Sequence, residues 1–105
     1  MAFNIPKRIT PQEVAARLKT GENLFLLDVR EPAEWAQGHV AGATHIPLGQ
    51  LVERRNELDP KRETIVICRS GNRSGLACEL LSEQGYRVVN MTGGLNDWTD
   101  ELVVD

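Results

Sequence analysis

The sequence predicts an α/β fold with a mostly parallel central sheet and helices on both of its faces. Short apolar runs typical of buried strands alternate along the chain with segments whose apolar residues recur at helical spacing. Glycines and prolines separate these segments, and 105 residues are the length of one ordinary domain. In parallel sheets the functional side chains gather at the carboxyl ends of the strands. We therefore interpret residues 1–105 as one domain and look for chemistry where each predicted strand ends.

The first half of the chain predicts two helices that flank a buried strand. The segment 10–13 combines a threonine able to cap, a proline suited to the first helical turn and a glutamate able to complete a capping box. The apolar run 24–27 predicts a strand that is covered on both faces and ends at Asp28. A second helix begins within 31–35, and Gly38 ends it.

The second half of the chain alternates strands and helices more regularly. The β-branched run 64–67 predicts a buried strand, whereas the segment 68–73 lacks apolar periodicity and predicts a tight loop. From Ser74 the apolar residues recur at helical spacing until Gly85 ends the helix. The remaining predicted elements are a short strand at about 44–46, a short amphipathic helix from residue 48 that ends before Pro60, a strand at 87–91 and a short helix at 95–98.

Composition and charge exclude several classes of protein. Hydrophobic residues make up 41% and charged residues 26% of the chain, which excludes a wholly disordered protein. The net charge is −3 and no block of Lys and Arg occurs, which argues against a general nucleic-acid binder and a polybasic membrane anchor. The longest aliphatic runs have four residues and the first residues lack the profile of a signal peptide, so we expect a cytoplasmic protein.

The cysteines and histidines form no pattern typical of a structural metal site. Cys68 and Cys78 are not part of a Cys-x-x-Cys pair, and His39 and His45 lack zinc-site spacing. We therefore expect two free thiols and neither a metal nor another cofactor. His39 lies in a short turn, where a structural hydrogen bond is favoured over catalysis, and we assign no role to His45.

The residues around Cys68 indicate a nucleophilic cysteine. A cysteine between a buried strand and a helix faces backbone N–H groups and the positive end of the helix dipole. Arg69 and Arg73 add two positive charges, and Gly71 allows the loop to turn its N–H groups inward as an anion nest. These features favour the thiolate, the reactive form of cysteine. The alternative is a buried, inert cysteine beside solvated arginines, and the combination of features makes the functional interpretation the stronger one.

Two interpretations stay open for the charged residues that follow the first buried strand. Asp28 ends a strand predicted to lie in the same sheet as the strand before Cys68, so it can approach the loop and fix its backbone or Arg73. Arg30 and Glu34 are four residues apart and can form a salt bridge across one helical turn. A purely structural salt bridge and support of the site fit this pattern equally well, whereas direct catalysis is not expected.

Cys78 is predicted to fill a small space at the edge of the core. It lies about one turn inside its helix, whereas Cys68 precedes the loop, so the pair is predicted to exceed the Cα separation of about 7 Å that a disulfide allows. This placement assumes that the buried stripe of the helix consists of Ala77, Leu80, Leu81 and Gln84.

Three motifs of the chain, in this order, resemble those of the rhodanese-like sulfurtransferases. The stretch LDVREPAEWAQGHVAGATHIPL at 27–48 is similar to the upstream signature of that family, with Trp35 where Phe or Tyr is more usual. The loop CRSGNRS at 68–74 resembles its active-site loop, and GGLNDW at 93–98 resembles its closing motif. The resemblance runs over residues 10–98, almost the whole chain.

The resemblance implies a sulfur relay that needs no cofactor. Cys68 as the thiolate would attack the outer sulfur of a donor such as thiosulfate and hold that sulfur as a persulfide. A nucleophilic acceptor, cyanide or a thiol, would then remove it, and a protein acceptor stays open as a partner. Neither nucleic acid nor a membrane is implied. The resemblance assigns substrate binding to Arg69, Ser70, Gly71, Asn72, Arg73 and Ser74. Asp28 and Arg30 are predicted to support the site from their position after the first buried strand.

Two other functions stay open beside the sulfurtransferase. Phosphatases of the cell-cycle dual-specificity type share the rhodanese fold but resemble a C-x5-R pattern, whereas four residues separate Cys68 from Arg73. The shorter loop encloses a smaller cradle, which disfavours a phosphatase or an arsenate reductase. The other alternative is a non-enzymatic sulfur-carrier or regulatory module that acts with a partner protein. The intact Cys68 and both arginines argue against an inactive module.

Overall fold

The computed structural model describes residues 7–104, which form the predicted α/β architecture around one sheet. The strands are β1 (Lys7–Ile9), β2 (Phe25–Asp28), β3 (Thr44–His45), β4 (Thr64–Ile67) and β5 (Val88–Met91). The helices are α1 (Pro11–Lys19), α2 (Pro32–Gln37), α3 (Leu51–Arg54) and α4 (Asn72–Glu83), with 3-10 turns at Leu48–Gln50, Arg55–Glu57 and Gly94–Asp97. The strand order is β1-β5-β4-β2-β3, and every pair is parallel. No helix within residues 7–104 is long and apolar enough to cross a membrane.

The start of the described chain contains one confirmed prediction and one strand that the sequence analysis missed. α1 has the predicted capping box: the Glu13 N–H donates to Thr10 Oγ1 at 3.1 Å, and Glu13 Oε1 accepts from the Thr10 N–H at 3.1 Å. The sequence did not predict β1, because this strand has three residues, of which only Ile9 is buried. This strand forms the edge of the sheet beside β5.

Apolar side chains cover both faces of the sheet, as the predicted alternation of strands and helices requires. Successive residues of a strand point to opposite faces, so Leu26 and Leu27 belong to different layers of the core. The layer under α3 and α4 contains Leu27, Val29, Ile46, Leu51, Leu58, Val66, Cys68, Ala77, Cys78, Leu81 and Val88. The layer under α1 contains Ile9, Val14, Leu26, Val40, Ile65, Ile67, Val89 and Met91.

α4 differs from the predicted helix in its start and in its buried side. It begins at Asn72 rather than Ser74, because Gly71 adopts a left-handed conformation (φ +98°) that turns the loop directly into the helix. The predicted position of Cys78 beside the buried stripe, at the edge of the core, is wrong, since its side chain is fully buried. The inward position of the Ser74 side chain rotates the stripe away from the predicted one. The buried residues of α4 are Ser74, Ala77, Cys78 and Leu81.

The closing segment of the chain holds the loop after β4 in place. The Leu95 N–H donates to the Cys68 carbonyl oxygen at 2.9 Å, and the Asn96 N–H donates to the Arg69 carbonyl oxygen at 2.9 Å. Only glycine fits at Gly94, because a Cβ atom there would lie 2.5 Å from the Cys68 carbonyl oxygen. The short helix predicted at 95–98 is a 3-10 turn, and its hydrogen bonds hold the loop from one side.

Candidate active site

Cys68 directly follows β4, and its sulfur is enclosed by the loop that leads into α4. The side chain is fully buried. The Gly71 N–H donates to Cys68 Sγ at 3.0 Å, and the hydroxyl oxygen of Ser74 lies 3.3 Å from the same sulfur. The loop thus folds back over Cys68 and places hydrogen-bonding groups around its sulfur.

The surroundings of Cys68 favour its ionised form on balance. Burial is the largest single influence on the pKa of the Cys68 thiol and raises it. The hydroxyl of Ser74 and three backbone N–H groups of the loop act in the opposite direction, and together they hold the pKa below its usual range. Those N–H groups belong to Ser70, Gly71 and Ser74.

The two arginines of the loop have different surroundings. Arg73 forms a bidentate ion pair with Glu34 of α2, with distances of 2.6 Å from Nη1 to Oε1 and 2.9 Å from Nη2 to Oε2. The hydrogen bonds to Arg73 lower the pKa of Glu34 from 4.5 to about 2. Arg69 is exposed, and its side chain makes no hydrogen bond or ion pair with any part of residues 7–104. The charge of Arg73 is therefore committed to Glu34, and that of Arg69 faces solvent.

At the carboxyl end of β2, the charged residues bond to each other and to nearby backbone. Asp28 pairs in register with Ile67, so this end lies beside that of β4. Arg30 Nε lies 3.0 Å from both carboxylate oxygens of Asp28, and Arg30 Nη2 lies 2.8 Å from Asp28 Oδ2. Arg30 also donates to the carbonyl oxygen of Gly38 at 2.8 Å. This buried pair fastens the end of α2 to the sheet.

The structure corrects the predicted pairing of these charges. The prediction that Arg30 and Glu34 form a salt bridge is wrong, because Arg30 donates to the carbonyl oxygen of Glu34 at 3.3 Å while the Glu34 carboxylate binds Arg73. Asp28 bonds to Arg30 and not to Arg73. Glu34 is the residue that links α2 to the loop, and its position one helical turn from Arg30 concealed this role.

Two histidines stack on the Trp35 ring of α2. Ring centroids are 3.5 Å apart for Trp35 and His39 and 4.7 Å apart for Trp35 and His45, and the rings are nearly parallel. The structural hydrogen bond predicted for His39 is confirmed, since its Nδ1 lies 2.9 Å from the Trp35 carbonyl oxygen. His45, which was given no role, lies with Nε2 2.8 Å from the Arg30 carbonyl oxygen. Within residues 7–104, no group of three or more His, Cys, Asp or Glu could hold a metal ion.

Cys78 differs from Cys68 in its chemical character. Both are free thiols. Burial raises the pKa of the Cys78 thiol to about 12, and the nearby Cys68 contributes in the same direction. Cys78 therefore remains protonated at neutral pH, as expected of a residue that fills the core.

Asn90 of β5 is another contact of the loop that the sequence analysis missed. Its Oδ1 lies 2.5 Å from Ser74 Oγ, and its Nδ2 donates to the Gly71 carbonyl oxygen at 3.3 Å. The available signal was a single amide among the apolar residues Val88, Val89 and Met91. A polar residue in such a strand needs a partner once the strand is buried.

The fold and the loop define a class of protein. It is an α/β protein with a cysteine at the carboxyl edge of a parallel sheet, enclosed by a short loop in which the Gly71 N–H and the Ser74 hydroxyl contact the sulfur. The profile of the family described as "Rhodanese-like domain" matches residues 10–101. The chain belongs to this rhodanese-like family, and the family resemblance drawn from the three motifs is confirmed.

Three curated relatives carry names from sulfur chemistry. The "Putative sulfurtransferase YtwF" of Bacillus subtilis is 40% identical, with 90% of this chain and 92% of the relative covered. The "Putative sulfur carrier protein YrkF" of the same organism is 39% identical, covering 93% of this chain and 53% of the relative. The "Thiosulfate sulfurtransferase PspE" of Escherichia coli is 47% identical, with 68% of this chain and 70% of the relative covered. The chain is thus similar to both sulfurtransferases and sulfur carriers.

The fold is also similar to that of solved rhodanese-like structures. The crystal structure of a rhodanese-like domain protein from Staphylococcus aureus superposes with a TM-score of 0.90 at 30% sequence identity. The match covers 94% of this chain and 98% of that one. The predicted parallel sheet with helices on both faces is therefore confirmed.

Proposed function

We propose that this protein transfers a sulfane sulfur from an anionic donor such as thiosulfate to a nucleophilic acceptor, through a persulfide on Cys68. The observation that carries the proposal is the placement of Cys68 Sγ, 3.0 Å from the Gly71 N–H and 3.3 Å from Ser74 Oγ. Such groups stabilise negative charge on sulfur without a separate base. The names of the curated relatives agree with this chemistry.

The first half-reaction loads the cysteine. The Cys68 thiolate attacks the outer sulfur of thiosulfate, a sulfur–sulfur bond forms on Sγ, and the original sulfur–sulfur bond breaks. Sulfite leaves with the electron pair of that bond. The negative charge then lies on the outer sulfur of the persulfide, which the loop N–H groups of residues 70–74 can bind.

The second half-reaction unloads the cysteine. Cyanide or a thiolate attacks the outer sulfur, and the bond to Sγ breaks with its electron pair returning to Cys68. Thiocyanate or a new persulfide leaves, and the thiolate of Cys68 is restored. The surroundings that lower the pKa of Cys68 also make its sulfur a better leaving group in this step.

The two arginines have separate roles in this proposal. Arg69 is exposed beside the cysteine and without a side-chain partner in residues 7–104, so it attracts the anionic donor. Arg73 is held by Glu34 and therefore fixes the loop against α2. Ser70 and Asn72 contribute backbone to the cradle, while Asp28 and Arg30 support it through α2.

A sulfur carrier that acts with a partner protein is the second candidate, favoured by the name of one relative. Such a module would load sulfur on Cys68 but release it slowly to cyanide or small thiols. Multiple turnover with a small acceptor therefore separates the two candidates.

The test is the intact mass of the protein after exposure to thiosulfate. Its mass should rise by one sulfur atom and return to the starting value when cyanide is added. Cys68→Ser should abolish both the mass gain and turnover, whereas Cys78→Ala should keep both, because Cys78 is protonated and buried. Loading of Cys68→Ser, or loss of turnover in a folded Cys78→Ala, would contradict the single-cysteine mechanism.

A further inference from the structure

A ring of hydrogen bonds connects Cys68 to Asn90 of β5. Cys68 Sγ lies 3.3 Å from Ser74 Oγ, which lies 2.5 Å from Asn90 Oδ1. Asn90 Nδ2 lies 3.3 Å from the Gly71 carbonyl oxygen, and the Gly71 N–H completes the ring at 3.0 Å from Sγ. Asn90 thus contacts both residues that bond to the sulfur, Gly71 and Ser74, although it lies on β5 and Cys68 follows β4.

The orientation of the Asn90 amide is fixed by its second partner. The carbonyl oxygen of Gly71 only accepts hydrogen bonds, so the Asn90 NH2 group must face it. The amide oxygen of Asn90 therefore faces Ser74, where it only accepts. The pairing of Asn90 with Val66 in the sheet keeps this side chain at the edge of the loop.

The hydroxyl group of Ser74 then has one proton to donate and two possible acceptors, Cys68 Sγ and Asn90 Oδ1. When Cys68 is a thiol, its S–H donates to Ser74 Oγ and the hydroxyl of Ser74 donates to Asn90, so every group in the ring is satisfied. When Cys68 is a thiolate, it gains this hydrogen bond only if the hydroxyl turns from Asn90 to the sulfur. The Asn90 Oδ1 then faces an oxygen lone pair at 2.5 Å, in a place where Ser74 is fully buried. An unsatisfied acceptor of this kind carries a cost.

We propose that Asn90 is a positioning residue that competes with the Cys68 thiolate for the single proton of Ser74. The functional meaning of this competition rests on the proposed sulfur transfer. In the persulfide, Sγ is bonded to a second sulfur and the charge lies on the outer atom, so the Ser74 hydroxyl can donate to Asn90 again. Asn90 therefore favours the loaded cysteine over the bare thiolate. When the bond to Sγ breaks, the hydroxyl turns back to the sulfur, and no proton leaves the ring.

Substitution of Asn90 leaves every charged neighbour of the sulfur in place. The charged groups near the sulfur are the same with and without the Asn90 substitution, and the Asn90 side chain bonds to none of them. The change therefore reports on the hydrogen bonds of Ser74 and Gly71 rather than on a changed charge. The titratable and charged groups on the surrounding elements are Arg69 and Arg73 on the loop and first turn of α4, Cys78 on α4, Glu34 on α2, Asp28 and Arg30 at the end of β2, and Asp97 in the closing turn.

The experiment is a pH titration of the Cys68 thiolate by its ultraviolet absorbance, with Cys68→Ser as the blank. Asn90→Leu, similar in size and without an acceptor, should move the midpoint to lower pH. The alkylation rate of Cys68 on the acidic side should then rise about fivefold, the factor that one ordinary hydrogen bond is worth. Ser74→Ala should move the midpoint to higher pH, because the sulfur loses its hydroxyl donor. Asn90→Ala provides the same test if the leucine variant does not fold.

A double variant separates competition for the proton from loosening of the loop. In Ser74→Ala no hydroxyl is present, so adding Asn90→Leu should not shift the midpoint further. An equal shift in both backgrounds, or an unchanged or higher midpoint in Asn90→Leu, would overturn the proposal. The titration involves no sulfur transfer, so it decides this inference even if thiosulfate fails to load the protein.

Discussion

The carboxyl ends of β2 and β4 lie side by side in the sheet, and each carries residues able to do chemistry. At the end of β2, Asp28 and Arg30 are 1% and 6% exposed, and they bond to each other and to the backbone of α2. At the end of β4, backbone N–H groups and a hydroxyl converge on Cys68, and Arg69 remains open to solvent. At the end of β2 the charges are paired within the fold, whereas the end of β4 has a charge that is unpaired within residues 7–104, beside the proposed nucleophile.

The difference teaches how to interpret polar residues at strand ends. A charged pair whose hydrogen bonds are all filled within the fold has nothing left over to bind a substrate, and the loss of one partner destabilises the fold because the other charge stays buried. Donors that converge on one nucleophilic atom stabilise a charge that changes during a reaction. Mutations at the end of β2 should therefore change stability, whereas mutations at the end of β4 should change activity.

The largest expected effect on stability comes from the end of β2. Arg30→Met leaves the buried carboxylate of Asp28 without its partner and should lower the free energy of unfolding by about 3–5 kcal/mol. Denaturant titration measures this change. The double variant Asp28→Asn, Arg30→Met should recover part of the loss, because no buried charge remains. Loss of sulfur transfer at unchanged stability would instead place Arg30 in the chemistry.

A smaller effect, on donor binding alone, is expected at the end of β4. Arg69→Ala should raise KM for thiosulfate about tenfold, the size of a hydrogen bond to a charged group. The free energy of unfolding should change by less than about 0.5 kcal/mol, because the side chain is exposed. Arg8→Ala, which removes an exposed charge from β1, is the control in steady-state kinetics. Equal KM values for both variants and the parent protein would remove Arg69 from the donor site.

An effect that is confined to acidic pH concerns the contact between α2 and the loop. The pKa of Glu34 falls from 4.5 to about 2 on folding, because Arg73 binds its carboxylate. A lowered pKa gives stability that is fully present above pH 4.5 and is lost as the pH falls towards 2. Glu34→Gln should make the free energy of unfolding less dependent on pH in this interval, as measured by denaturant titration at several pH values. Glu53→Gln on α3 is the exposed control, and an identical pH dependence in both would argue against the ion pair.

Sequence reasoning located the loop around Cys68 because its features are contiguous. The cysteine, the glycine and the start of α4 lie within 68–74, so strand, turn and helix signals identify them without any distant contact. It placed Cys78 wrongly, since a helical stripe can be rotated by one residue when a polar side chain such as Ser74 faces inward. It also missed β1, whose three residues carry too little pattern to separate a strand from a loop.

From α1 onwards, the sequence by itself determined the order of strands and helices, together with the family and the position of Cys68, because periodicity, caps and glycines act over a few residues. Only the tertiary structure decided which charges pair. Glu34 and Arg73 are 39 residues apart and Ser74 and Asn90 are 16 apart, and they meet because parallel crossovers bring the ends of separate strands together. A guanidinium donates to any carboxylate within reach. Spacing along the chain therefore favoured a pair of Arg30 with Glu34, whereas packing pairs Arg30 with Asp28 and Glu34 with Arg73.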